Sequence, residues 1–201
     1  MQHARNFSSL STGTSEGSCQ SNVFSDPTKY TLTVLPSERM TVLKSVYSQL
    51  CPEICDRIGS LVMPTTVRKF SYICMDGVKI SSVSDKAANP YILATPVTPF
   101  PCQPDIGPRP AEIQYFVRHS FEVSPAPNCV HVTRTFAVAR WPQIHPSKDS
   151  IGKPVQVWCH NLFENSIDNC FIPIENIQSR VIIAVDTLEE EQVLFVVPVV
   201  K

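Results

Sequence analysis

The feature that most constrains the fold is an alternating stretch, AEIQYFVRHSFEV, at Ala111–Val123. Its odd positions are mostly apolar: Ile113, Tyr115, Val117, His119, Phe121 and Val123. Its even positions are mostly polar: Glu112, Gln114, Phe116, Arg118, Ser120 and Glu122. A period of two is typical of a β-strand with one buried face and one face in water. The sequence therefore predicts a long strand that buries Val117 and Phe121. Gln114 and Arg118 of the same strand are predicted to face water.

Other short apolar segments predict the partners of this strand. Val130–Trp141 follows after a six-residue loop, so the two segments are expected to form a long antiparallel hairpin. Asp76-Gly77, between Arg68–Met75 and Gly77–Ile80, is typical of a tight hairpin turn. Further predicted strands are Tyr30–Leu35, Tyr91–Val97, Lys153–Cys159, Phe171–Ile174, Ile177–Val185 and Gln192–Val200. Short strands separated by turn signals indicate a barrel or a sandwich.

One segment has helical periodicity instead. Ser37–Leu50 places five apolar side chains on one helical face: Met40, Leu43, Val46, Tyr47 and Leu50. Residues 1–29 are rich in Ser, Thr, Gly and Asn and predict a disordered tail, while 98–110 is a Pro-rich connector. The predicted fold is mostly β: a small antiparallel barrel-like domain over 30–201, with one covering helix and a disordered N-terminal tail.

Composition excludes several classes of protein. The 201 residues suit one domain, and 17 Lys+Arg against 18 Asp+Glu leave a net charge of -1, so no global nucleic-acid footprint is present. Eighteen prolines against six glycines, with no G-x-G, argue against dinucleotide- and phosphate-loop folds. The longest apolar run, Val193–Val200, is too short to span a bilayer. Eight cysteines without a secretory signal predict reduced thiols and an intracellular, nuclear or cytosolic protein.

The chain offers little for metal binding or catalysis. The metal candidates are Cys51, Cys55, Cys129 and His131, but only Cys51 and Cys55 form a close pair, whereas structural zinc sites usually need two. No G-x-S-x-G is present, and His119 on an apolar face is predicted to be a core histidine. We therefore predict no cofactor, no metal and no catalytic residues. The alternative left open is a zinc-dependent or other enzyme fragment that uses the Cys/His set.

Arginines and aromatic residues on and around hairpin 112–141 predict a binding surface. Its candidate residues are Arg118, Arg134, Arg140, Tyr115, Trp141 and Trp158, with Arg109 nearby. Such a surface can stack bases, bind phosphates or cage a methylated lysine. The alternative interpretation is that Arg118 and Arg134 form cross-strand pairs with Glu122 and Glu112, and that the aromatic side chains belong to the core.

From Tyr91 onward the order of motifs resembles the bromo-adjacent homology (BAH) domain, a β-barrel module of chromatin proteins. Ile113–Phe121 corresponds to its first long strand, and Val130–Trp141 with Pro142 to its second. A short strand with a Phe-containing loop follows at Lys153–Phe163. The family's "IP...I...V" segment is matched by Ile172, Pro173, Ile177 and Val181. The motif order is also similar to accessory domains of transposon-derived proteins.

This resemblance covers about half of the chain and implies a nuclear setting. Together with the candidate binding surface, it leads us to expect a non-catalytic interaction module. Its partner is expected to be chromatin, nucleic acid or a protein, bound through hairpin 112–141, with no membrane partner.

Overall fold

The structure, a computed structural model, describes residues 23–24, 29–85, 89–100, 107–123, 131–149 and 151–199. The described part is mostly antiparallel β-structure with one main helix, which confirms the predicted fold class. The predicted tail, residues 1–29, lies outside the described residues except at 23–24 and 29. No helix among the described residues has the length and apolar character needed to cross a bilayer.

The described residues form thirteen strands, two α-helices and two 3-10 turns. The strands are β1 (Val23–Phe24), β2 (Thr31–Val34), β3 (Thr66–Phe70), β4 (Tyr72–Met75), β5 (Val78–Ser81), β6 (Tyr91–Ala94), β7 (Arg109–Glu122), β8 (His131–Arg140), β9 (Pro142–Ile144), β10 (Gln156–Phe163), β11 (Phe171–Pro173), β12 (Ile177–Leu188) and β13 (Glu191–Pro198). The helices are α1 (Ser37–Leu50) and α2 (Cys55–Ile58), with 3-10 turns at Pro52–Ile54 and Ile174–Asn176.

Strand β7 is the centre of the larger sheet. That sheet runs in the order β11-β8-β7-β6-β12-β13-β10-β9, and β3, with β2 beside it, also pairs with β7. Strand β8 pairs along β7 from Glu112 to Glu122. The opposite edge of β7 holds β6 near its start and β3 near its end. Fourteen residues are long enough to bind two short strands end to end on one edge.

The ladder of hydrogen bonds does not close on itself. Strand β8 ends at Arg140 and β9 begins at Pro142, so only Trp141 separates them. Yet β8 borders β7, whereas β9 borders β10 at the far end of the sheet order. A bend at Trp141 therefore connects the two regions of the sheet through the chain itself. The domain is barrel-like in this connectivity, although its hydrogen-bonded sheet stays open.

A bulge in β7 reverses the alternation of its side chains, so odd and even positions exchange faces after the bulge. Ile113 pairs with Ala139 and Tyr115 with Val138, so Gln114 is one extra residue opposite β8. Before the bulge Ile113 contributes to one core, and after it Val117 contributes to another. Phe116, expected to face water, shares the first core and is 0% exposed. The expectation that the face with the even positions is exposed to water is therefore wrong at Phe116, because both faces of β7 are buried there.

The predicted burial of Val117 and Phe121 in β7 is confirmed. Val117 is 0% and Phe121 3% exposed, whereas Gln114 and Arg118 are partly exposed. Helix α1 covers the core that contains Val117 and Phe121, with Tyr47 making edge-on ring contacts to Phe121 and Phe136. The helix has the bounds that its periodicity predicts.

Two strand predictions needed correction. The segment Arg68–Met75 is not one strand, because it breaks at Ser71 and its two halves belong to different sheets. The strand predicted at Lys153–Cys159 begins later, at Gln156, and continues to Phe163. The hairpin turn at Asp76-Gly77 is confirmed, with φ of 51° and 75° at the two residues.

Candidate functional site

A row of four side chains crosses β2, β3, β7 and β8. Leu32 lies opposite Arg68, Arg68 opposite Arg118, and Arg118 opposite Thr135. We call these four residues the arginine row. Like charges directly opposite each other destabilise a sheet. The arginine row places two guanidinium-bearing residues directly opposite each other on neighbouring strands.

Hydroxyl groups lie next to the arginine row on the same face. Side chains two positions apart on a strand share a face, which places Thr66 beside Arg68 and Ser120 beside Arg118. Thr133 lies opposite Ser120, and their hydroxyl oxygens are 2.8 Å apart. All three hydroxyl-bearing residues are exposed. Exposed hydroxyls next to guanidinium groups supply further hydrogen-bond donors for an anion.

Aromatic rings lie on the other side of the arginine row. The Arg68 guanidinium carbon is 5.0 Å from the centroid of the Tyr30 ring, and that of Arg118 is 5.6 Å from Phe70. Tyr30 and Phe70 are in turn 6.0 Å apart between centroids. Tyr30 remains 39% exposed. These cation–π contacts hold both guanidinium groups in place and leave one aromatic ring accessible from solvent.

The electrostatics of Arg118 reflect its neighbours. Burial lowers the pKa of Arg118, and the positive charge of Arg68 lowers it further. Its Nε donates a hydrogen bond to Thr135 Oγ1 at 3.3 Å. A bound anion would offset the repulsion between the two arginines, because an opposite charge favours the charged form of each.

A shallow groove adjoins this face. It has a volume of about 380 Å³ and is lined by Lys29, Tyr30, Thr31, Lys69, Phe70, Ser71 and Ser84. Tyr30 and Phe70 also contact the arginines of the row. The groove therefore shares Tyr30 and Phe70 with the surroundings of the arginine row, whereas Lys69 in its lining directs its Nζ toward the Tyr115 ring.

The three arginines predicted from the sequence do not converge. Arg118 lies in the arginine row, but Arg134 forms an ion pair of 2.8 Å with Glu175. Arg140 donates from Nε to Glu112 at 3.0 Å and lies over the Phe163 ring. Ion pairing of the hairpin arginines was the alternative interpretation. It named Arg118 with Glu122 and Arg134 with Glu112. Arg134 is ion-paired, but with Glu175, and Glu112 pairs with Arg140 instead.

The predicted aromatic part of the surface is wrong for both tryptophans. Trp141 is 2% and Trp158 0% exposed. Trp141 Nε1 donates to the Asn169 carbonyl at 2.8 Å, and Trp158 Nε1 to Gln156 Oε1 at 3.2 Å. Both indoles have an internal hydrogen-bond partner and an apolar environment, so burial is favourable for them.

Tyr115 and Arg109 also differ from the expected surface. Tyr115 is half-buried against the core under α1, with Lys69 Nζ 4.3 Å from its ring centroid and Arg39 donating to its hydroxyl. Arg109 is 4% exposed and pairs with Glu164 at 2.9 Å. Tyr115 therefore lies on the face of β7 opposite Arg118, and Arg109 is buried, so neither residue joins the arginine row.

The metal candidates are not brought together. Cys51 is 2% exposed and accepts a hydrogen bond from Arg134 at 3.7 Å, whereas Cys55 is exposed. His131 lies 3.7 Å from Glu122 on β7. Cys129 lies outside the described residues. Within the described ranges, no group of three or more His, Cys, Asp and Glu could hold a metal ion.

Sequence reasoning missed Arg68, which completes the arginine row. Its position is set by the pairing of β3 with β7, over only three residue pairs. In the sequence Arg68 belongs to a segment that we predicted to be one continuous strand. A contact across 50 positions leaves no local periodicity in the chain, so only the pairing register reveals it.

Comparisons with protein-family models, with curated proteins and with solved structures found no match for this chain. The resemblance to the BAH module therefore stays a prediction. The features that bear on function are the arginine row and the groups around it.

Proposed function

We propose that this protein is a non-catalytic interaction module that binds nucleic acid across the arginine row. The observation that carries the proposal is the direct opposition of Arg68 and Arg118 on neighbouring strands. Two guanidinium groups side by side repel each other, and a phosphate between them would replace that repulsion with attraction. Guanidinium groups also match the geometry of phosphate oxygens through paired hydrogen bonds.

The surroundings of the row favour nucleic acid over an acidic peptide. The hydroxyl of Thr66 and one hydroxyl of the hydrogen-bonded pair Ser120 and Thr133 can donate to phosphate and sugar oxygens. The exposed ring of Tyr30 can stack on a base, the usual way in which sheet surfaces hold single strands. Single-stranded nucleic acid is therefore the ligand class that the face fits best. A nuclear setting, as the BAH resemblance implies, agrees with this proposal.

The size of the charged face determines the expected strength of binding. The net charge of the chain is -1, so attraction comes from local groups and not from the overall field of the protein. Few phosphate contacts give weak binding that decreases as salt increases, because each contact releases counterions. We expect measurable affinity at low salt and a modest salt slope.

Fluorescence anisotropy with a labelled single-stranded oligonucleotide tests the proposal. The double variant Arg68→Ala/Arg118→Ala should bind more weakly and reduce the slope of log affinity against log salt by roughly two contacts. The matched control is Arg57→Ala/Arg180→Ala, which removes two exposed arginines on α2 and β12. The control should keep the wild-type slope.

Further binding measurements identify the class of ligand. Tyr30→Ala should weaken binding to a single strand by about 1–3 kcal/mol, the usual worth of a stacked base, and affect a duplex less. Thermal melting of each variant checks that the fold is intact. Equal losses in the two double variants would contradict the proposal, as would wild-type protein that binds no oligonucleotide at low salt. Preferential binding of a methyl-lysine peptide would also contradict it.

A further inference from the structure

A second row of side chains runs beside the arginine row on the same face, two residues away on each strand. Val34 of β2 lies opposite Thr66 of β3, and Ser120 of β7 lies opposite Thr133 of β8. Extending the β3–β7 register by two residues places Thr66 level with Ser120. We call Thr66, Ser120 and Thr133 the hydroxyl row. Two residues of a strand span about 6.6 Å, so the two rows are about one nucleotide step apart.

Charge distinguishes the hydroxyl row from the arginine row. The hydroxyl row is uncharged, and the next residue of β7 on the same face is Glu122, opposite His131. The Glu122 side chain is 58% exposed, and His131 Nδ1, 3.7 Å from its Oε1, offsets its charge only when the ring is protonated. A phosphate over the hydroxyl row would be repelled by this carboxylate. An uncharged part of a nucleotide therefore fits the hydroxyl row better than a second phosphate does.

The hydrogen-bonding capacity of the row matches a sugar hydroxyl. Ser120 Oγ and Thr133 Oγ1 are 2.8 Å apart, and both residues are exposed. The bond between them uses one of the two hydroxyl hydrogens, so the pair keeps one donor and several acceptor lone pairs. A ligand hydroxyl can accept from that donor and donate to one of those lone pairs. The 2′-hydroxyl of ribose is such a group, and deoxyribose lacks it.

Apolar side chains of β2 complete the face. Leu32 and Val34 are each 67% exposed and lie on the same face as the two rows, on the side of β3 away from β7. Tyr30, next to them in the chain, is exposed as well. Exposed apolar side chains grouped in this way mark a surface that binds a partner, and they suit the apolar faces of bases. The sugar-phosphate backbone then belongs over β3, β7 and β8.

We infer that the ligand of the arginine row is RNA, selected through a 2′-hydroxyl that the pair of Ser120 and Thr133 binds. One phosphate lies between Arg68 and Arg118, the adjoining ribose lies over the hydroxyl row, and its base lies over β2. This inference rests on the proposed binding of nucleic acid and adds the choice of RNA over DNA. The 2′-hydroxyl is the group by which a protein distinguishes the two at a given position.

Fluorescence anisotropy of the full chain with labelled single strands of one base sequence tests the choice of sugar. The strands are RNA, DNA that carries uracil in place of thymine, and 2′-fluoro RNA. The uracil-containing DNA differs from the RNA only in the sugar, and 2′-fluoro RNA keeps the ribose-like ring conformation but cannot donate from the 2′ position. RNA should bind roughly threefold to tenfold more tightly than either, the usual effect of one hydrogen bond.

A double variant tests the hydroxyl pair. Ser120→Ala/Thr133→Val removes both hydroxyls with little change of shape, so RNA affinity should fall to that of DNA while DNA affinity stays at the wild-type value. The unchanged DNA affinity also shows that the face is intact. The matched control is Thr41→Val/Ser60→Ala, which removes two exposed hydroxyls from α1 and from the turn after α2. Helix α1 packs on the opposite side of β7, so this control should keep the preference for RNA.

The outcomes separate this inference from the proposed function. Equal affinity of the wild-type protein for RNA and uracil-containing DNA would overturn the inference and leave nucleic-acid binding in place. So would 2′-fluoro RNA that binds as tightly as RNA, or a Ser120→Ala/Thr133→Val protein that keeps the preference. Failure of all three strands to bind at low salt would overturn the proposed function and the inference together. The comparison of strands on wild-type protein decides the matter even if the double variant does not fold.

Discussion

His119 is a core residue that takes part in two hydrogen bonds. It is 0% exposed, with Nδ1 3.2 Å from the Tyr47 hydroxyl and Nε2 2.8 Å from the Pro64 carbonyl. A carbonyl can only accept, so Nε2 carries the proton and Nδ1 of the neutral ring accepts from Tyr47. Burial lowers the pKa of His119, and the Pro64 carbonyl opposes this only in part. The predicted role of His119, a satisfied histidine on an apolar face, matches these contacts.

The lowered pKa of His119 makes stability depend on pH. At pH values above the ordinary histidine pKa of about 6.5, His119 is neutral in both the folded and the unfolded chain. It then adds no pH dependence to the unfolding free energy. Below that pKa, the unfolded chain binds a proton that the folded state resists, so the unfolding free energy should fall by up to about 1.4 kcal/mol per pH unit. Urea unfolding at several pH values should show a shallower decline in His119→Gln than in wild type. Exposed His131→Gln is the control, and parallel curves for His119→Gln and wild type would contradict the prediction.

At the scale of helices and strands, the periodicity of the sequence predicts the elements but not the irregularities within them. The apolar spacing of α1 predicts the bounds Ser37–Leu50 that the helix has, because a helix makes its own backbone hydrogen bonds within one segment. The strand β7 was also predictable, but the bulge at Gln114 was not. A bulge depends on the partner strand, and the alternation of residue types continues through it unchanged. The two cores on either side of Phe116 and Val117 were therefore hidden in one apparent pattern.

The turn between β12 and β13 allows a prediction at the scale of the hairpin. Glu189 and Glu190 have φ of 52° and 72°, values that cost an ordinary residue about 1–2 kcal/mol each. A two-residue turn with positive φ at both positions favours Asn-Gly. Glu189→Asn/Glu190→Gly should therefore raise the melting temperature by several degrees. Glu189→Ala/Glu190→Ala removes the same charges without relieving the backbone, and should not. Similar gains in both variants would assign the effect to charge.

At the scale of the whole molecule, contacts distant in sequence decide both the fold and the candidate site. The strands were predictable one by one, but the junction at Trp141 and the pairing of β3 with β7 join segments far apart in the chain. The arginine row exists only through that pairing. The same reason explains the error at Trp158: its apolar surroundings come from strands such as β13, which no local pattern connects to it.

Arg109 lies where these distant segments meet. At the start of β7, it donates from Nη2 to the Pro142 carbonyl at 3.1 Å and pairs with Glu164 after β10. Its guanidinium carbon lies 4.1 Å from the Phe100 ring centroid and 5.1 Å from that of Trp158. Nε and Nη1 are buried and have no hydrogen-bond partner in the described part of the chain. Buried donors without partners cost free energy, so the charge here opposes the packing that its side chain provides.

Substitution of Arg109 separates these two contributions. Arg109→Met keeps an apolar stem against both aromatic rings and removes the unsatisfied donors, so its unfolding free energy should lie within about 1 kcal/mol of wild type. Arg109→Ala also leaves a cavity between Phe100 and Trp158 and should lower that free energy by about 3–5 kcal/mol. Glu164, with a side chain 29% exposed, can still be solvated when its partner is lost. Urea unfolding measures all three proteins. If Arg109→Met is as unstable as Arg109→Ala, the bonds to Pro142 and Glu164, and not the packing, hold the two regions together.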